Sequence, residues 1–63
     1  MAFLKLTSNF SGEAVWLNAN EIACFKGVQL GKNSYTEIRL KNGMGCDVSE
    51  DPEEVAKMLE GGG

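Results

Sequence analysis

SYTEIRLKNGMGCDV, Ser34 to Val48, sets two runs of alternating apolar and polar residues around the dipeptide Asn42-Gly43. Both central residues of a two-residue type I′ turn need positive φ, which Asn and Gly tolerate best, so the spacing predicts an antiparallel hairpin with that turn. Alternation puts Thr36, Ile38 and Leu40 on one face before the turn, and Met44, Cys46 and Val48 on the same face after it. Tyr35, Glu37, Arg39 and Lys41 point the other way. The apolar face must meet a core, which the rest of the chain has to supply.

Upstream, AFLKLTS (2–8) alternates with Leu4 and Leu6 on one side and Phe3 and Lys5 on the other. Turn residues follow at 9–12, and EAVWL (13–17) resumes alternation with Val15 and Leu17 opposite Trp16, which predicts an antiparallel pair of strands. Asn18 followed by Glu21 has the spacing of a capped turn, read here as a single 3₁₀ turn because no apolar residue continues at helical spacing. IACFKGVQL (22–30) reads as a strand in which Gly27 predicts a bulge or sharp bend.

After Val48 the period changes. Asp51, Pro52 and Glu54 stand where an N-cap, an N1 proline and an N3 glutamate stand in a capping box, so the Asp51 carboxylate is expected to accept from the Glu54 amide. Val55, Met58 and Leu59 form an apolar stripe at helical spacing, and Gly61 ends the helix. The order is β-β-turn-β-β-β-α. The expected architecture is α+β: a strongly bent five-stranded antiparallel sheet, or partly open barrel, with one C-terminal helix. The expected core is Leu4, Leu6, Val15, Leu17, Ile22, Ile38, Leu40, Cys46, Val48, Val55, Met58 and Leu59. One domain spans 1–60, and 61–63 reads as a flexible glycine tail.

A domain of 63 residues buries only about 60% of its unfolded surface. Small domains of this kind are commonly reinforced by disulfides, a metal or self-association. The chain has no His, and Cys24 and Cys46 alone do not make a four-ligand zinc site. Both thiols are expected inward and free, as small packing residues. MAFLKL lacks the basic start and long apolar region of a signal peptide, and no apolar run is long enough for a membrane span, so the expected compartment is the cytoplasm. Net charge is −3, divided into a balance of +2 over residues 1–46 and −5 over residues 47–63.

No catalytic constellation is visible, and no cofactor or metal site is expected. Neither Cys has an activating base in its local sequence, and the acids at 50, 51, 53 and 54 stand where they stabilise a helix start. Gly43-Met44-Gly45 lacks the helix and Lys-Ser/Thr of a phosphate loop. The informative surface is the one opposite the core, where alternation gathers Phe3, Trp16, Phe25 and Tyr35. Large apolar patches on monomers are uncommon, so three covers suggest themselves. One is a sheet that curls until some aromatics join the core, the second is another copy or a protein partner laid over them, and the third is single-stranded nucleic acid stacked there with Lys5, Arg39 and Lys41 on its phosphates. Net charge, with Glu37 and Asp47 on the same face, opposes the last.

The order Leu6-Thr7, Gly12, Trp16-Leu17-Asn18, Ile22, Thr36-Glu37-Ile38-Arg39-Leu40, Asn42-Gly43, Val48, Glu50 and Glu54-Val55 resembles the small FlbD-like proteins found with bacterial flagellar genes. The resemblance spans nearly the whole chain and implies a structural or accessory module with no catalytic residues to carry over. The expected function is therefore non-enzymatic: self-association and protein contact through Phe3, Trp16, Phe25 and Tyr35. The alternative is a single-stranded nucleic-acid binder using Lys5, Arg39 and Lys41.

Overall fold

The computed structural model describes residues 3–61. Its elements are β1 (Phe3–Thr7), β2 (Ala14–Asn18), a 3₁₀ turn (Ala19–Glu21), β3 (Ile22–Leu30), β4 (Asn33–Leu40), β5 (Gly45–Val48) and α1 (Pro52–Glu60). The mixed strand and helix content agrees with the α+β expectation, and the Asn18 side chain accepts from the Asn20 amide at 3.0 Å to start the 3₁₀ turn. Gly62 and Gly63 of the expected tail lie outside the described residues.

The strands do not form one five-stranded sheet or barrel. They make two antiparallel sheets, β1-β2 and β3-β4-β5. Between them stand one bridge, Ser8 with Val48, and two flanking backbone bonds, Asn9 N–H to Asp47 O at 2.9 Å and Ser49 N–H to Thr7 O at 2.8 Å. The ladder ends there because the next donor is taken by a side chain. Thr7 N–H donates to Glu50 Oε1 at 2.9 Å and Thr7 Oγ1 to Glu50 Oε2 at 3.0 Å. The Glu50 backbone carbonyl accepts from Thr36 Oγ1. One residue thus ties β1, β4 and the approach to α1, and it satisfies the buried Thr36 hydroxyl, which would otherwise be costly to bury.

The organising hairpin has the expected faces but a different turn. Leu40 N–H donates to Met44 O at 2.8 Å and Gly43 N–H to Leu40 O at 3.0 Å, closing a loop of Lys41, Asn42 and Gly43. Gly43 has φ +90°, and no described non-glycine residue has positive φ. This is the three-residue pattern in which a type I turn is followed by a glycine bulge. The extra residue has a purpose in register: it sets Ile38 against Cys46 and Thr36 against Val48, whereas a two-residue turn would set Ile38 against Asp47. Met44, at the end of the loop, is 65% exposed and not inward.

The β3 bulge also differs. The register shifts between Ile22 and Cys24, at Ala23, and runs regularly through Gly27. An inserted residue reverses the faces beyond it. Phe25 therefore stands opposite Ile38 and packs against the core, while Cys24 stands opposite Arg39 and is exposed. Gly27 serves a close approach. A Cβ there would lie 2.9 Å from Pro52 Cγ, where α1 crosses β3.

The buried core is Leu4, Leu6, Ile38, Val48 and Val55, with Leu17, Ala19, Ile22, Phe25, Leu40, Cys46, Met58 and Leu59 packed on it. Full burial contributes about 1.5–3 kcal/mol for each large aliphatic side chain. Val15, expected here, is only half-buried, near the start of β2. Asp51 occupies the N-cap position but makes no side-chain cap bond; its backbone carbonyl accepts from Val55 N–H at 3.0 Å. The junction is held instead by Glu50, through three hydrogen bonds to Thr7 and Thr36.

Candidate functional site

Leu4 and Leu6 fasten one face of the β1-β2 ribbon to the core, so alternation turns Phe3, Lys5 and Thr7 outward on β1 and Ala14, Trp16 and Asn18 outward on β2. The ladder phase follows from Ser8 N–H donating to Glu13 O at 2.8 Å. Bonded and non-bonded pairs alternate in an antiparallel ladder, which makes Lys5 and Trp16 a non-bonded pair, the kind whose side chains approach most closely. Lys5 Nζ lies 5.6 Å from the Trp16 ring centroid, a cation–π contact. Trp16 remains 62% exposed and Phe3 51% exposed.

The four aromatics expected together are divided. Phe3 and Trp16 share the ribbon's outer face, Phe25 belongs to the core, and Tyr35 sits opposite Val28 on the outer face of the three-stranded sheet. The cations are divided too. Lys5 is on the ribbon, Arg39 is on the outer face of β4 between Cys24 and Gly45, and Lys41 lies in the hairpin loop, its N–H bonded to Glu21 O at 2.8 Å.

The outer face of β3-β4-β5 carries a charged row, Lys26, Glu37 and Asp47, with Lys26 Nζ 3.7 Å from Glu37 Oε1. An open groove of about 370 Å³ runs between the β1-β2 loop and the hairpin, bordered by Phe10, Arg39, Gly45 and Asp47. Phe10, 85% exposed, was not singled out by sequence reasoning, because it sits in a turn with no alternation to place it. Glu50 was read only as a helix-start acid; its role as a clamp depends on Thr7, which is remote in sequence.

Cys46 packs against the core, and burial raises its thiol pKa, with the Asp47 charge adding to the rise. Cys24 faces outward on β3, so the expectation that both thiols point inward holds only for Cys46. With β4 between them the two strands are about 10 Å apart, outside disulfide reach, and both cysteines are free. Among the described residues no three of His, Cys, Asp and Glu gather as metal ligands, and no helix is long and apolar enough to cross a membrane. Comparison with protein-family models, curated proteins and solved structures finds no match to this chain.

Proposed function

We propose that this chain is a small non-enzymatic accessory module of the cytoplasm that works by protein contact, self-association first, through the outer face of the β1-β2 ribbon. The observation that carries the reading is Trp16 with Phe3, two large aromatics left exposed on one face. A two-stranded ribbon is marginal by itself. Here only its inner face is packed, so covering the outer one adds burial that a small core lacks. The resemblance to FlbD-like flagellar proteins points to the same class of function. Light scattering at tens of micromolar is expected to give a mass above one chain, falling to the monomer in Trp16→Ala. The melting temperature of the parent should rise with protein concentration. A monomer with a concentration-independent melting point would refute the reading.

One contact favours a second reading. A cation held over an exposed indole is an arrangement on which a base can stack while its phosphate meets the cation. Single-stranded RNA or DNA binding by fluorescence anisotropy, steeply salt-dependent and lost in Trp16→Ala, would promote it. No signal at low salt would remove it.

A further inference from the structure

Two strand edges lie outermost among the described residues, that of β2 and that of β3, since β1 and β5 are joined by the Ser8–Val48 bridge. The β3 edge carries the devices that protect edges: a bulge at Ala23, a lysine at 26, and Pro52 crossing at Gly27. The β2 edge, Ala14-Val-Trp-Leu-Asn18, carries none of them, with no charge, no proline and an even register.

Its backbone groups have a definite direction. Because Ser8 and Glu13 are a bonded pair, so are Leu6 with Val15 and Leu4 with Leu17. Ala14 and Trp16 therefore turn their strand-direction N–H and C=O away from β1, and so does the Asn18 N–H, while the Asn18 C=O opens the 3₁₀ turn. The partner strand agrees: Thr7, opposite Ala14, sends its N–H to Glu50 and accepts from Ser49 N–H, both away from β2. The outward positions are spaced evenly about Trp16. The strand is thus its own complement, for an antiparallel copy turned about a two-fold axis at Trp16 sets Trp16 against Trp16 and Ala14 against Asn18.

We propose that β2 pairs edge to edge with β2 of a second copy, extending the ribbon into a four-stranded antiparallel sheet. This rests on the reading of the ribbon as the self-association surface and specifies its geometry. Charge favours the same site. Each copy carries −3, yet the outer-facing residues of the ribbon are Phe3, Lys5, Thr7, Ala14, Trp16 and Asn18, with no carboxylate to oppose its equivalent. Area sets the strength. The chain exposes 4350 Å², and a standard interface takes about 800 Å² from each partner. A five-residue edge with Trp16 and Phe3 offers less, so the dimer is weak and concentration-dependent.

Amide hydrogen exchange on the full chain, from tens of micromolar to millimolar, reads the pairing directly. The Trp16 amide is expected to slow about tenfold once nine-tenths of the chain is dimeric, by mass action. The Val15 and Leu17 amides, already bonded to β1, change little by comparison. Ala14→Pro removes an outward N–H from an edge position and should return the monomer while Trp16 and Phe3 remain. Association that Trp16→Ala abolishes, but that leaves the Trp16 amide unprotected, would overturn edge pairing and leave the broader reading standing. Protection at the β3 edge would also overturn it. A monomer at every concentration would overturn both. Should Ala14→Pro fail to fold, exchange in the parent decides.

Discussion

Adding a single methyl group at Gly27 tests how the helix meets the sheet. In Gly27→Ala the new Cβ would stand 2.9 Å from Pro52 Cγ and 3.7 Å from Pro52 Cδ. Carbon atoms in good contact stand about 3.5–4.0 Å apart, so something has to move by more than half an ångström. A long side chain would swing aside. Pro52 is a ring at the first position of α1, and the residue two before it is held by Thr7 and Thr36. Overpacking of this kind costs about 1–3 kcal/mol, and loss of glycine freedom in the unfolded chain returns about 0.4–1 kcal/mol. The expected net loss is about 1–2 kcal/mol, a large share of the few kcal/mol that hold a domain of this size. Urea unfolding should show a lower midpoint with an unchanged slope, and the melting temperature should fall by about 4–8 °C per kcal/mol. Repeating the substitution in a Pro52→Ala background isolates the cause, because without the ring the added methyl should be neutral or stabilising. Equal losses in both backgrounds, or a parent no more stable than Gly27→Ala, would refute the close approach.

Glu50→Ala removes both acceptors from Thr7 and should cost about 1–3 kcal/mol in urea unfolding, with Glu50→Gln, which keeps one acceptor, losing less. Asp51→Ala should cost no more than about 1 kcal/mol, the helix-dipole share, because the carboxylate caps no amide; a larger loss would restore the capping box. Alkylation of the folded protein should modify exposed Cys24 well before Cys46, while the unfolded protein without reductant should return two free thiols per chain. Since folding raises the Cys46 thiol pKa, its contribution to stability is intact below the ordinary thiol value. It is lost as pH rises through the raised one, and Cys46→Ala should remove that alkaline loss in urea midpoints measured across the range.

Elements and faces were legible wherever one local period holds. Alternation along Thr36, Ile38 and Leu40 placed the core, and the Val55, Met58 and Leu59 stripe placed the helix, because burial rewards the same period that the backbone imposes. The Phe3 and Trp16 part of the candidate surface was legible for the same reason. Phe25 was not, since a bulge at Ala23 reverses every face beyond it and Ala has no residue-type signal for a bulge. Asn42-Gly43 marked a turn but not its length, which the pairing of Ile38 with Cys46 decides by demanding that both reach the core. Gly27 announced an irregularity, yet its reason is Pro52, brought there by the docking of α1. The division into two sheets likewise depends on Glu50 taking the Thr7 donor that would have continued the ladder. Sequence determined each segment's period, and with it which residues seek burial. Tertiary structure decided which donors, rings and edges meet, because those contacts join residues far apart in the chain and leave no local pattern.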